Sequence, residues 1–173
     1  MANGKQKGNS FEREVSKALS LWISEGKDKY LFWRSASSGA MAPRAGTDYG
    51  DITTMKPEGY PLIDKFTIEC KRSKRWDLFT IMTSDKTPLN KWWEQTEKQS
   101  DEANNVPLLV FKLDRFPIMC ALDFSDYNAI MSDPDRHRKI MVSNTELGEI
   151  VIFFFEDFMC QDVLNYISTS SPE

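Results

Sequence analysis

The stretch Lys65-Phe66-Thr67-Ile68-Glu69-Cys70-Lys71 alternates apolar and polar side chains with the period of a half-buried strand. Phe66, Ile68 and Cys70 fall on one face, and Thr67, Glu69 and Lys71 on the other. Residues two apart along a strand stand about 6–7 Å from each other. A carboxylate and an ammonium therefore project side by side from one surface. Just upstream, Gly50-Asp51-Ile52 opens a second strand-like stretch, Asp51 to Met55, with β-branched Ile52, Thr53 and Thr54. The polar segment Lys56-Pro57-Glu58-Gly59-Tyr60-Pro61 between them has turn composition and suits a hairpin. Paired across that turn, the strands bring Asp51 to Glu69, and two carboxylates and a lysine converge at one end.

Such a cluster has a chemical use. Mg²⁺ takes oxygen ligands and is commonly held by one or two carboxylates together with substrate phosphate. The ion acidifies water and neutralises charge building on a phosphodiester. An adjacent lysine can orient that water or stabilise the transition state. The same residues also make an ordinary cross-strand salt bridge on a solvated sheet face, and spacing alone leaves both open.

The 173 residues suit one domain with a substantial core. No apolar run is long enough to span a bilayer and the Lys-rich start has no signal-peptide pattern, so a cytoplasmic protein without a membrane partner is expected. Cys70, Cys120 and Cys160 are odd in number, far apart and set in apolar segments, which fits buried thiols rather than disulfides or a zinc site. His137 is the single histidine, so hydrolytic chemistry here must rest on carboxylates, lysine and a metal. The net charge of −4 is unevenly spread: residues 1–115 hold 19 Lys+Arg and 16 Asp+Glu, and residues 116–173 hold 3 and 10. A mildly basic front and an acidic tail permit DNA binding without requiring it.

In chain order, Asn9 to about Gly26 has the apolar stripe of an amphipathic helix, Phe11, Val15, Ala18, Leu19, Trp22 and Ile23. Glu12 lies beside that stripe, and Asn9 with Glu12 has capping-box spacing, so Glu12 is either a cap or part of the site. Tyr30 to Arg34 reads as a short aromatic strand. It is followed by a long small-residue loop, Ser35 to Thr47, whose serines with Arg34 and Arg44 suit phosphate oxygens or simply a contact-free surface. Lys71-Arg72-Ser73-Lys74-Arg75 is a basic cluster suited to a DNA backbone or to a solvated turn. Thr87-Pro88 is a helix start, with Leu89, Trp92, Trp93, Thr96 and Ala103 as its buried stripe and Gln95 and Gln99 off its centre. Val106 to Lys112 suits a buried central strand, and Phe116 to Leu122 another. Ser125 to Ser132 suggests a short helix, Ile140 to Ser143 with Glu149 to Phe155 a strand pair, and Asp157 to Ile167 a closing helix. This order predicts an α/β sandwich.

Several of these segments together carry a family resemblance: Lys7-Gly8-Asn9-Ser10-Phe11-Glu12-Arg13-Glu14, Arg34-Ser35-Ala36, Gly50-Asp51-Ile52, Ile68-Glu69-Cys70-Lys71 and Pro107-Leu108-Leu109-Val110-Phe111-Lys112. The chain resembles the PD-(D/E)xK nuclease superfamily and, within it, archaeal-type Holliday junction resolvases and their phage relatives. The resemblance covers about residues 5–115. It implies a restriction-endonuclease-like α/β sandwich with a central mixed sheet flanked by helices. It also implies a nuclease core at 1–115, with 116–173 an acidic C-terminal extension packed on it. Asp51 and Glu69 then become metal ligands together with the Cys70 carbonyl, for Mg²⁺ with Mn²⁺ as a substitute. Lys71 becomes the residue that positions water, Glu12 the acid completing the site, and Gln95 a supporting polar residue for which Gln99 is an alternative. Lys7, Arg34, Ser35, Ser37, Arg44, Arg72, Lys74 and Arg75 become DNA contacts. The expected partner is branched or four-way DNA, cut by a homodimer in the host cytoplasm if phage-encoded. A restriction-like or nicking enzyme of the same fold, or a non-catalytic DNA-binding or assembly protein, is the alternative.

Overall fold

The structure is a computed structural model that describes residues 4–35, 49–74, 80–81, 84 and 86–169, with side chains from residue 8 onward. Helix α1, Gly4–Ile23, is followed by two short strands, β1 (Trp33–Arg34) and β2 (Ile52–Thr53). A 3₁₀ turn at Pro57–Gly59 runs into helix α2, Tyr60–Ile63, and then strand β3, Phe66–Ser73. Helix α3 (Pro88–Ala103), strands β4 (Val106–Leu113) and β5 (Ile118–Asp123), and helix α4 (Phe124–Ile130) come next. Strands β6 (Lys139–Asn144) and β7 (Gly148–Phe154) with helices α5 (Phe155–Phe158) and α6 (Gln161–Ser168) complete the order.

The main sheet has five strands in the order β3-β4-β5-β7-β6. β3 and β4 are parallel, joined by α3 as a crossover, and the remaining pairs are antiparallel. The mixed sheet is an α/β sandwich of the restriction-endonuclease-like kind. Side chains alternate between its two faces. Ile68, Cys70, Leu108, Val110, Cys120, Leu122, Val151 and Phe153 pack with Phe11, Val15 and Leu19 of α1 and with Phe158 and Val163 from the C-terminal helices. Leu109, Phe111, Ala121, Ile150 and Ile152 pack on the opposite face with Leu89 and Trp93 of α3. β5, β6 and β7 thus continue the sheet and both apolar layers past residue 115.

Helix α3 starts as its sequence requires, with Thr87 accepting from the Asn90 N–H and Pro88 in the first turn. It ends at Asn104, which is left-handed at φ 56. Its buried positions are Leu89, Asn90, Trp93, Thr96 and Ser100, so Trp92 and Ala103 are not central to the stripe. Helix α1 starts well before Asn9, which leaves Asn9 in the helix interior and removes the capping box as a role for Glu12. The aromatic strand shortens to Trp33–Arg34, and the closing helix is broken at Met159 and Cys160 into α5 and α6.

The expected hairpin does not form. β2 pairs with β1 instead, Arg34 opposite Ile52, and β3 pairs with β4. The intervening residues coil into the 3₁₀ turn and α2, burying Leu62 and Ile63, because prolines inside the first turns suit helix starts as well as turns. Nor is β3 half-buried. Thr67 and Glu69 are 1 % and 2 % exposed, because α3 covers the face expected to meet solvent.

Candidate active site

β3 forms one edge of the main sheet, and the segment 49–51 lies against it without entering a ladder. The Asp51 N–H donates to the Ile68 carbonyl at 2.7 Å, and Asp51 Oδ2 accepts the Cys70 N–H at 2.8 Å. This contact requires glycine at position 50. Its φ is +79, and a Cβ there would lie 2.6 Å from the Ile68 carbonyl oxygen. The N–H and C=O of a strand residue point to the same side, so the Cys70 carbonyl faces the open edge beside Asp51. Burial pushes the Cys70 thiol well up, leaving it an inert core group rather than a ligand.

Glu69 points toward α3 and is held by three side chains. Lys71 Nζ and Gln95 Nε2 (2.8 Å) donate to Oε1, and Gln99 Nε2 donates to Oε2 at 3.2 Å. Gln99 also accepts the Gly50 N–H through Oε1 at 2.7 Å. Asp51 is pushed up to about 7, first by burial and then by the charge of Glu69, with the Cys70 N–H and Lys71 opposing. The carboxylates expected to meet through a hairpin therefore meet through a backbone contact at Gly50 and a helix laid across both.

Glu12 enters from α1. Its Oε2 accepts from Arg34 Nε at 2.8 Å, and its charge contributes to the raised Asp51. The bond uses Nε, one of the five guanidinium N–H donors. Ser35 is tied to the same segment, its N–H donating to the Asp51 carbonyl and its Oγ to the Gly50 carbonyl, each at 2.7 Å. Arg72 approaches Asp114 at 3.5 Å, and both Arg72 and Lys74 are exposed beyond the site. Ser37, Arg44 and Arg75 lie outside the described residues, as does the side chain of Lys7.

Sequence reasoning did not single out Gly50 as a site residue, and it left Gln95 and Gln99 as alternatives although both bond Glu69. Their one-turn spacing was the available signal. The pairing of Glu12 with Arg34, 22 residues on, left no trace in spacing.

The donors suit a hard cation, since carboxylate and carbonyl oxygens converge. The raised Asp51 reflects its burial first and the Glu69 charge beside it second, and a cation between the two would favour the ionised form of both. Among the described residues no three His, Cys, Asp or Glu side chains group closely enough to hold an ion by themselves. A cation here needs the backbone carbonyl, water or phosphate as further ligands, and must share the Glu69 oxygens with their present donors.

A half-buried and a buried carboxylate at a sheet edge, with a lysine two residues on, is the arrangement of a PD-(D/E)xK-type nuclease. A family model described as "Phage putative PDDEXK endonuclease" matches residues 3–166, and the chain belongs to that family. The match runs through β5 and into α6, well past residue 115. "Protein D14" of Escherichia phage T5 is 34% identical over 131 residues, covering 75% of this chain and 78% of that relative. No solved structure matches. No described helix is long and apolar enough to cross a membrane.

Proposed function

We propose that this chain is a Mg²⁺-dependent endodeoxyribonuclease, with Mn²⁺ as a substitute, that cuts branched DNA such as four-way junctions as a homodimer in the cytoplasm, that of the host if it is phage-encoded. The observation that carries the proposal is Glu69, 2 % exposed yet kept polar beside Asp51 at an open sheet edge. Asp51, Glu69 and the Cys70 carbonyl would hold the ion. Bound there, it supplies charge neutralisation at the phosphodiester and a lowered pKa for the attacking water.

The side chains do the rest. Lys71, its ammonium against Glu69, orients the attacking water and donates to the phosphate oxygens as charge builds on them. Gln95 keeps Glu69 in place. Arg34, braced by Glu12, takes a phosphate oxygen, as do Lys7, Ser37, Arg44, Arg72, Lys74 and Arg75 along the backbone, whereas Ser35 already donates its hydroxyl and N–H to the Gly50 and Asp51 carbonyls. One chain carries one set of these residues, so paired cuts in two strands require two chains related by a two-fold axis.

The test is cleavage of end-labelled four-way junctions, duplexes and single strands in Mg²⁺, Mn²⁺ and EDTA. Paired nicks in the junction that vanish in EDTA are expected. Equal cutting of linear duplex would make the enzyme a general endonuclease, and no cutting of any substrate would overturn the proposal.

A further inference from the structure

β2 and β3 share no ladder, so sheet register does not set the position of Asp51 relative to Glu69. The Gly50 peptide does, and it is held from several directions. Its carbonyl accepts from Ser35 Oγ, its Cα packs on the Ile68 carbonyl, and its N–H goes to Gln99. The other end of the Gln99 amide donates to Glu69. One side chain thus spans the two segments that carry the carboxylates. Gln95 also donates to Glu69, but among the described residues it makes no hydrogen bond to the Gly50–Asp51 segment.

We propose that Gln99 is a positioning residue, which fixes the Gly50–Asp51 segment against Glu69 and so sets the spacing of the carboxylate pair for a divalent ion. The inference rests on the nuclease function proposed above. An amide suits the place because it accepts from an N–H and donates to a carboxylate at once. Glutamate in its place would lose the donor, and methionine would lose both ends. Asparagine keeps the chemistry but is one methylene too short to span the gap.

The experiment is a Mn²⁺ titration of the full chain followed by electron paramagnetic resonance, without DNA, beside junction cleavage and thermal melting. Gln99→Met is expected to weaken Mn²⁺ binding by about 10–100-fold, the range for residues that orient metal ligands. Gln95→Met is expected to weaken it less, because it leaves Gly50 tied. Gln99→Asn, which keeps a polar group under the helix if the methionine variant does not fold, should also lose affinity. A purely structural Gln99 would lower the melting temperature of both variants and leave their Mn²⁺ affinity at the wild-type level, which overturns the inference. An equal loss in Gln95→Met overturns it too, since the link to Gly50 would then contribute nothing. If the wild-type chain neither binds Mn²⁺ nor cuts DNA, the nuclease function itself fails. If it does both and the Gln99 variants match it, only the role of Gln99 fails.

Discussion

β3 and β4 lie side by side in parallel, with Glu69 opposite Leu109 and Lys71 opposite Phe111, beneath the same helix. On that face β4 presents Leu109 and Phe111, both fully buried against Leu89 and Trp93. β3 presents Thr67, Glu69 and Lys71, and contributes nothing to that apolar layer. α3 is divided to match, its apolar residues over β4 and its glutamines over Glu69. Burying a charge costs several kcal/mol unless it is paired, and apolar replacement of a buried ion pair is often neutral or stabilising. The neighbouring strand shows that leucine and phenylalanine fit under this helix. Packing therefore does not explain the polar strip, but its edge position does: β4 is enclosed by two strands, whereas β3 has a side open to Asp51.

The sharpest way to break this comparison is to change one residue on each strand. Leu109→Ala should lower stability by about 2–5 kcal/mol through a core cavity, while cleavage per folded molecule stays near wild type. Glu69→Gln should do the reverse, reducing cleavage by orders of magnitude with a smaller change in melting temperature. Denaturant unfolding beside junction cleavage reads both. If Glu69→Gln cuts normally, the polar strip has some other purpose and the site assignment falls.

A smaller effect sharpens the role of α1. Glu12 has no capping duty, so Glu12→Gln tests its charge. The variant's amide oxygen can still accept from Arg34 Nε, but the ion pair is lost, and with it one of the charges near Asp51. Cleavage should fall about 10–100-fold, in the range seen when outer-shell partners are lost, with little change in melting temperature. Wild-type cleavage across Mg²⁺ concentrations would reduce Glu12 to a surface ion pair.

The contrast between β3 and β4 also marks what the sequence reveals. The unbroken apolar run Val106 to Lys112 announces an interior strand, and β4 is one. α3 shows at its start because Thr87-Pro88 is local capping chemistry, and β6 with β7 shows as two short apolar runs separated by a polar, glycine-containing turn. β3 misleads because a polar face reads as a wet face. Nothing in seven residues says that α3, twenty positions on, will cover it. The hairpin fails for a related reason: turn residues and helix-start residues overlap, and Pro57 and Pro61 serve the latter. Carboxylates and lysine are legible because E-x-K spacing is local. Gly50 is not, because its necessity comes from a carbonyl oxygen on another strand.

A last expected effect leaves cleavage aside and concerns the proton that Asp51 holds beside this polar strip. Asp51 ordinarily titrates near 3.8, and in the folded chain burial and Glu69 raise it to about 7. Between those values the folded state holds a proton that the unfolded state has released, so stability should fall as pH rises from about 4 through 7. Asparagine can still accept the Cys70 N–H but has no proton to hold. In EDTA, Asp51→Asn should therefore melt higher than wild type near pH 8, with the gap narrowing toward pH 5. The gap is a few kcal/mol at most, since one pKa unit is about 1.4 kcal/mol. Adding Mg²⁺ near pH 8 should raise the wild-type melting temperature and leave the variant's nearly unchanged, because the cation offsets a charge that the variant lacks. Melting curves that run parallel for the two proteins from pH 5 to pH 8, with no response to Mg²⁺ in either, would mean that Asp51 is as well compensated as any surface carboxylate. β3 would then differ from β4 in composition but not in the electrostatic demand that a metal site places on it.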